Sequence, residues 1–265
     1  MMDMNGDILK VVAAVKTFAG ICALDSVSFG VKTGQIKALI GPNGAGKTTL
    51  LNAINGILPA DGGHIYFLGQ DVAGLSPDKI ALRGVSRTFQ LLRLFTINNA
   101  TVLDNVMLGA HMRLKPSLLE SIFRRGKVGR EERTARDEAM EILRLVGLEK
   151  AAQVVPTALS FGNQRLVELA RSLMTTPKML LLDEPASGLN ETEVNRFTEL
   201  LLSIQERGIT ILLVEHNMKL VMNIADDIVV LDFGKKLAEG TPQEICANAE
   251  VINAYLGVTN KDCGI

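Results

Sequence analysis

A glycine-rich segment after residue 40 carries the first pattern that could do chemistry. Residues 41–48 fit the pattern G-x-x-x-x-G-K-[ST], and they follow an apolar run and precede a helical pattern. Glycines let the backbone approach a phosphate closely, and the N–H groups at a helix N-terminus attract its negative charge. We therefore predict a phosphate-binding loop rather than a chance glycine-rich turn. The predicted nucleotide-binding residues of this loop are Gly41, Pro42, Asn43, Gly44, Ala45, Gly46, Lys47, Thr48 and Thr49.

Two side chains of this loop are suited to phosphoryl transfer. We expect the Lys47 ammonium to reach the β- and γ-phosphates of a nucleotide. We expect the Thr48 hydroxyl to ligate Mg²⁺. Both roles require the helix that begins near Lys47 to point its N-terminus at the phosphates.

Two carboxylates end an apolar run later in the chain. Residues 179–182 read MLLL and predict a buried strand, and Asp183 and Glu184 come next. In open α/β sheets, ligands bind outside the carboxyl ends of the strands. We expect Asp183 to hold Mg²⁺ through water and Glu184 to accept a proton from an attacking water. Alone, this pair would read as an ordinary turn after a strand, and the phosphate-binding loop favours the catalytic interpretation.

The elements that must position these groups follow an alternating order. From residue 178 onwards, strand-like and helix-like patterns alternate, which predicts a parallel sheet with helices on its faces. Short β-like runs occupy residues 8–39. The stretch 98–170 is rich in Leu, Met, Arg and Glu, and we interpret it as a mostly helical subdomain. Because the chain has no long linker, we expect a single domain over residues 1–265.

Composition and charge restrict the class of protein. The 265 residues are 47% hydrophobic and carry a formal net charge of −1, which is typical of a globular protein and predicts no nucleic-acid partner. The longest apolar runs have strand length and fall short of the roughly 20 residues of a membrane span. The three cysteines lie far apart and form no CxxC pair, so we expect reduced thiols and no zinc site.

One further segment resembles a known family. Residues 159–165, LSFGNQR, resemble the LSGGQ signature of ABC ATPases, with Phe and Asn as departures, and they lie shortly before the acidic strand. In that family the signature binds the nucleotide held by the other ATPase subunit. The resemblance therefore implies that Ser160 and Gly162 contact a γ-phosphate across a dimer. Taken alone, the segment would be a plain Ser-capped helix N-terminus.

Four more matches occur in the family's order. Gln90 resembles the glutamine that contacts Mg²⁺ and senses the permease, and His216 resembles the histidine that contacts the γ-phosphate and the attacking water. Phe18 lies where an aromatic ring stacks on adenine, with a core aromatic as the alternative. Residues 187–190, SGLN, resemble the loop that crosses the dimer interface, although Asn190 replaces the commoner Asp and cannot pair with a cation.

The resemblance covers almost the whole chain and implies a fold and a site. The fold is α/β: a P-loop NTPase core with a parallel sheet, an N-terminal antiparallel β part and a helical subdomain. The implied cofactors are ATP and Mg²⁺. The implied catalytic residues are Glu184, His216 and Lys47, and the implied metal ligands are Thr48, Gln90 and Asp183.

The resemblance also narrows within the family. The segments VEHNMKLVM and GTPQEICANAEVINAYLG resemble the ATPases of branched-chain amino acid importers. This implies a peripheral subunit on the cytoplasmic face of the membrane that uses ATP-driven dimer closure to energise a permease. The implied partners are permease subunits, a second ATPase subunit that is either a copy or a paralogue, and, indirectly, a periplasmic or extracellular solute-binding protein.

The sequence also allows alternative functions and predicts a contact surface for the permease. A non-transport ABC ATPase acting on nucleic acid or ribosomes is the alternative, but the chain has one uninterrupted cassette and no basic arm. A P-loop kinase or GTPase would lack the signature segment. The stretch 91–107 is the expected permease contact, although Leu91, Leu92, Leu94 and Phe95 could equally be core residues.

Overall fold

The computed structural model describes residues 6–88, 94–112 and 125–256. Gln90, which the sequence places near Mg²⁺, lies outside the described residues, as do Leu91 and Leu92. The side chains of residues 111–131 are likewise outside the description.

An antiparallel sheet of four strands forms from the N-terminal part of the chain. Its strand order is β2-β1-β4-β5. A tight turn at Ala19 and Gly20, both with positive φ, joins the first two strands. One face of this sheet is buried because apolar residues alternate along the first two strands. The strands are β1 (Asp7–Phe18), β2 (Ile21–Lys32), β4 (Gly62–Phe67) and β5 (Gln70–Asp71).

A second sheet has six strands in the order β10-β9-β3-β8-β7-β6. Strands β9, β3, β8, β7 and β6 pair in parallel, and β10 pairs antiparallel to β9. The strands are β3 (Ile36–Ile40), β6 (Val85–Arg87), β7 (Met179–Asp183), β8 (Thr210–Val214), β9 (Asp227–Asp232) and β10 (Lys235–Gly240). Strands β3, β7 and β8 are buried along their full length, which is typical of parallel strands covered on both faces.

Helices cover both faces of the parallel sheet. They are α1 (Lys47–Ile54), α2 (Pro77–Leu82), α3 (Val102–Met107), α4 (Arg125–Leu145), α5 (Phe161–Leu173), α6 (Glu191–Glu206), α7 (Met218–Ile224), α8 (Pro242–Ala247) and α9 (Ala249–Val251). The parallel sheet and the antiparallel N-terminal part confirm the predicted fold class. Within the described part of 98–170 the regular elements are helical. The single-domain division and the bounds of the helical subdomain stay predictions.

Alternate residues of the parallel strands contribute to three hydrophobic clusters, two of which meet on opposite faces of β7. On β7, Leu180 and Leu182 pack with α3, α4, α5 and α6. Their neighbours Met179 and Leu181 pack on the opposite face with α1 and the antiparallel sheet. The sheet is therefore held between the two parts of the molecule, so the carboxyl ends of its strands are fixed from both sides.

Of the helices in the described ranges, none is long and apolar enough to span a bilayer. Cys22 is a free, exposed thiol.

A buried cation joins the two sheets. The side chain of Lys37 on β3 is 3% exposed, and its Nζ donates to the Gly30 carbonyl of β2 at 2.7 Å. The same ammonium forms ion pairs with Asp227 at 2.7 Å and with Glu239 at 2.5 Å. A cation this buried is stable only when it is paired in this way, so the cluster fixes the edge of the parallel sheet against β2.

One carboxylate of this cluster should make stability depend on pH. Burial alone would raise the pKa of Glu239. Hydrogen bonds and charge from Lys236 and Lys37 outweigh this effect, so the pKa of Glu239 lies below its usual value. A carboxylate whose pKa is lowered by folding stabilises the fold above its unfolded pKa. That contribution is lost as the pH falls through the folded pKa.

We therefore predict that Glu239→Gln lowers the free energy of unfolding at neutral pH by about 1–2 kcal/mol. The difference from the unchanged chain should shrink as the pH falls below about 4. Urea unfolding across this pH range measures both effects, with the exposed Glu206→Gln as a control that should change little at any pH. A difference that stays constant down to the acid limit would contradict the assignment.

Candidate functional site

The glycine-rich loop leaves the carboxyl end of β3 through backbone geometry that only glycine allows. Gly41 has φ 149° and Gly46 has φ 101°. A Cβ on Gly41 would lie 2.1 Å from the Leu231 carbonyl oxygen, and one on Gly46 would lie 2.5 Å from that of Ala23. Backbone carbonyl oxygens cannot move away from an added Cβ at these positions, and both residues have a positive φ, so glycine is required at each. The loop therefore packs tightly against its neighbours before α1 begins.

The loop surrounds a cavity of about 190 Å³ at the carboxyl edge of the parallel sheet. Residues from four separate segments of the chain meet there. The structure therefore brings most of the predicted loop residues together with the two predicted catalytic side chains that follow strands β7 and β8. The lining residues are Ala23, Asn43, Gly44, Ala45, Gly46, Lys47, Thr48, Thr49, Glu184 and His216. The cavity therefore joins a phosphate-binding backbone to a carboxylate and an imidazole.

Lys47 is the buried cation of this cavity. Its Nζ donates to the carbonyl oxygens of Gly41 at 2.7 Å and Pro42 at 3.0 Å. These two residues of the loop thus hold the lysine rather than line the cavity. Burial lowers the pKa of Lys47, and the neighbouring carboxylates of Glu184 and Asp183 oppose that shift. The ammonium lines the cavity while it donates to these carbonyl oxygens, so it can also donate to a phosphate oxygen bound there.

Glu184 and His216 are in direct contact. Nε2 of His216 lies 3.1 Å from Oε1 of Glu184, so one of the two groups carries the proton between them. Glu184 has φ 49°, a conformation that costs a non-glycine residue energy. Its N–H donates to the Val214 carbonyl of β8 at 2.9 Å, which holds the strained residue in place. The pair can take a proton from a water molecule at this edge of the cavity.

Asp183 lies beneath this pair and has a partner that the sequence analysis missed. It is 3% exposed, and its Oδ2 accepts a hydrogen bond from Arg87 Nη2 at 2.8 Å. Nη1 of Arg87 donates to Asn52 Oδ1 on α1 at 2.7 Å. One guanidinium thus connects β6, β7 and the helix of the phosphate-binding loop. The only sequence signal was a cation at the end of a short strand, which does not identify its partner.

Ser160 and Gly162 lie in a different cavity from Lys47. Ser160 is the N-cap of α5, where its Oγ accepts from the Asn163 N–H at 3.3 Å. A Cβ on Gly162 would lie 2.6 Å from Glu193 Oε1, so the first turn of α5 packs closely on α6. The cavity that these two residues line shares no residue with the one around Lys47. One chain therefore does not bring the signature segment to its own phosphate-binding loop.

The remaining sequence candidates have mixed placements. Phe18 ends β1 and is 43% exposed, which rules out the core-aromatic alternative, but it does not line the cavity around Lys47. The Asn190 side chain caps α6 by accepting from the Glu193 N–H at 3.0 Å. In the expected permease contact, Leu94 packs partly against the core, whereas Phe95 is 51% and Ile97 73% exposed. That stretch therefore contains both core and surface residues.

Family comparisons agree with this geometry. The family model described as "ABC transporter" matches residues 24–187. A second model, described as "Branched-chain amino acid ATP-binding cassette transporter", matches residues 235–259.

Full-length relatives include two bacterial transport proteins. The chain is 42% identical over 255 residues to the high-affinity branched-chain amino acid transport ATP-binding protein BraF of Pseudomonas aeruginosa, covering 96% of this chain and 99% of the relative. It is 40% identical, with the same coverage, to the protein LivG of Escherichia coli, which carries the same description.

Solved structures give the same result. The ADP conformation of an ATP-binding cassette from an ABC transporter matches with a TM-score of 0.81 and 34% identity. A nucleotide-free cassette matches with a TM-score of 0.80 and 33% identity. In both cases the match covers 95% of this chain and 99% of the other.

The Arg87 bridge generates a prediction. Replacing Arg87 by Met would leave a buried carboxylate on Asp183 without its cation, so we expect the free energy of unfolding to fall by about 3 kcal/mol. Arg87→Lys should lower the free energy of unfolding by less, because lysine keeps the positive charge. It should still lower it, because an ammonium cannot reach both Asp183 and Asn52 as the guanidinium does.

Urea unfolding of the purified variants measures this loss. Arg83→Met is the matched control, because Arg83 makes its hydrogen bonds at the surface and should contribute less than about 1 kcal/mol. Equal losses for the Arg83 and Arg87 variants would show that the bridge to Asp183 does not stabilise the site.

Proposed function

Because the chain belongs to the ATP-binding subunits of ABC transporters, we propose that it hydrolyses ATP to energise the import of branched-chain or chemically related amino acids. The observation that carries the hydrolytic part is the single cavity formed by the phosphate-binding loop, Glu184 and His216. The substrate class is supported by the descriptions of BraF and LivG and by the family match at residues 235–259.

The proposed reaction is the transfer of the γ-phosphoryl group of ATP to water. Backbone N–H groups of the loop and the Lys47 ammonium bind the phosphates and stabilise the charge of the transferring group. Glu184 accepts the proton of the attacking water as the water oxygen bonds to the γ-phosphorus. The bond from that phosphorus to the β–γ bridging oxygen breaks, and ADP leaves with the electron pair. His216, in contact with Glu184, donates to a γ-phosphate oxygen and keeps the carboxylate oriented.

The donor set at this edge fits a magnesium ion. The Thr48 hydroxyl and the Asp183 carboxylate offer the hard oxygen ligands that Mg²⁺ prefers, and water would complete the shell. Gln90, a further ligand that the family resemblance implies, lies outside the described residues. When bound, Mg²⁺ supplies charge neutralisation between the β- and γ-phosphates. The hydrogen bond from Arg87 fixes Oδ2 of Asp183.

A second ATPase subunit completes each site in this proposal. The separation of Ser160 and Gly162 from the Lys47 cavity supports a partner chain, either a copy or a paralogue, that supplies the signature segment. Phe18 is the proposed adenine contact and is exposed at the turn between β1 and β2. ATP then favours the closed pair, because only the closed pair makes both sets of contacts.

The permease contact is proposed at the exposed apolar side chains of Phe95 and Ile97. In this proposal the chain is a peripheral subunit at the cytoplasmic face of the membrane, and the solute-binding protein contacts the permease rather than this chain. The alternative of an ATPase acting on nucleic acid has little support, because the net charge of −1 offers no general attraction for a polyanion.

We predict that Glu184→Gln binds ATP with an affinity within about threefold of the unchanged chain but hydrolyses it at least about 100-fold more slowly. The amide keeps the shape of the site and cannot accept the proton. Nucleotide-binding and single-turnover assays separate the two effects. Glu191→Gln, at a 76% exposed side chain, is the control that should leave both unchanged. Near-normal turnover by the Glu184 variant would refute the role of Glu184 as the base.

Affinity purification of the tagged chain from detergent-solubilised native membranes tests the transport role. Co-purifying multi-span permease subunits would support it, and the number of ATPase chains present would distinguish a copy from a paralogue. Uptake of labelled leucine, isoleucine and valine by cells lacking the chain tests the substrate class, with the Glu184→Gln chain as the inactive control. Recovery with ribosomes or DNA-repair factors and no membrane protein would overturn the transport proposal.

A further inference from the structure

Glu215 is a buried carboxylate that the proposed reaction does not use. It lies between the end of β8 and His216 and is 3% exposed. Its Oε1 accepts from the Ala186 N–H at 2.7 Å. Its Oε2 accepts from the N–H groups of His216 at 2.9 Å and Asn217 at 3.2 Å. All three donors are backbone groups, and they come from two different loops.

These hydrogen bonds connect the two loops that carry Glu184 and His216, the proposed catalytic residues. Ala186 lies in the loop that follows β7, immediately after Glu184 and Pro185. His216 lies in the loop that follows β8. The Glu215 carboxylate therefore ties the two loops together close to the point where Glu184 Oε1 meets His216 Nε2.

We propose that Glu215 is a positioning residue that sets the geometry between Glu184 and His216. It does not line the cavity around Lys47, so it does not touch the reacting atoms. It acts on the backbone that carries them, because a shift of either loop would separate the imidazole from the carboxylate. Ala186, one of the three donors, immediately precedes residues 187–190, which by family resemblance lie at the dimer interface. The inference rests on the proposed roles of Glu184 and His216.

A carboxylate is the side chain that these donors require. Three N–H groups converge from two sides, and only an ionised carboxylate presents acceptors on both oxygens. The amide of Gln would direct its own N–H₂ at a backbone N–H and leave that donor unsatisfied. Because the site is buried, water does not compensate for the lost bond, and the loops must move apart or bend.

Displacement of these two loops should affect the rate of hydrolysis rather than nucleotide binding. The phosphates are bound by the loop of residues 41–48, which Glu215 does not contact through any of these three bonds. We expect Glu215→Gln to lower the single-turnover rate by about 10–100-fold, as an ångström-scale misplacement of catalytic groups does. The affinity for ATP should stay within about twofold.

A double-mutant cycle with His216→Ala distinguishes positioning from general destabilisation. If Glu215 acts through His216, adding Glu215→Gln to the His216→Ala chain should leave the slow rate of that chain unchanged within about twofold. If Glu215 only stabilises the fold, the second substitution should slow hydrolysis by the same factor in both backgrounds. The assays use the full chain with Mg²⁺ and ATP, at a temperature where circular dichroism shows every variant folded.

The matched control is Asp226→Asn. Asp226 also accepts a backbone N–H, from Ile36 at 2.8 Å, together with Gln205 Nε2, but at the opposite edge of the parallel sheet. Its loss should lower stability and leave the rate within about twofold. A Glu215→Gln chain with a normal rate, or equal slowing in both backgrounds, would overturn the proposal.

Two further outcomes are informative. If Glu215→Gln does not fold, Glu215→Asp replaces it in the same cycle. Asp keeps both acceptor oxygens at shorter reach and should slow hydrolysis by roughly three- to tenfold through His216, and a normal rate would overturn the proposal. If His216→Ala itself hydrolyses ATP normally, the proposed role of His216 fails, whatever the Glu215 variants do.

Discussion

Parallel pairing of the three central strands decides where every proposed catalytic group can lie. Leu39 of β3 pairs with Val214 of β8, and Val214 pairs with Asp183 of β7, so one row of the sheet crosses all three strands. Just beyond that row each strand turns into a loop with a proposed function: the phosphate-binding loop, the loop of His216 and the loop of Glu184. Hydrophobic clusters hold the sheet from both faces and prevent a slip of register.

The site above this row is built largely from backbone groups, so it depends on buried polar side chains that hold the backbone in place. The Arg87 guanidinium fixes the Asp183 carboxylate and α1, and the Glu215 carboxylate fixes the loops that follow β7 and β8. Arg87 and Asp183 are paired with each other, and Glu215 is satisfied by backbone N–H groups, as burial requires. The strained φ of Glu184 is tolerated because its N–H and its side chain both have partners on or beside β8.

The sequence predicts the parts of the site that follow from local pattern. Lys47 belongs to a contiguous motif, and Glu184 and His216 each follow an apolar run at a strand end, so strand order brings them together. Arg87 and Glu215 were missed because their partners, Asp183 and Ala186, are distant in the chain and only the strand order reveals them. Phe18 lies outside the residues that line the cavity around Lys47, so its contact with adenine stays a prediction.

The central claim is that Glu184 and His216 act as one unit on the attacking water. Single-turnover hydrolysis by the full chain carrying Glu184→Gln, His216→Ala or both substitutions tests it directly. The account predicts that the double variant is about as slow as the slower single variant, because either change already disables the pair. Rate losses that multiply in the double variant would show that the two residues contribute independently and would contradict the account.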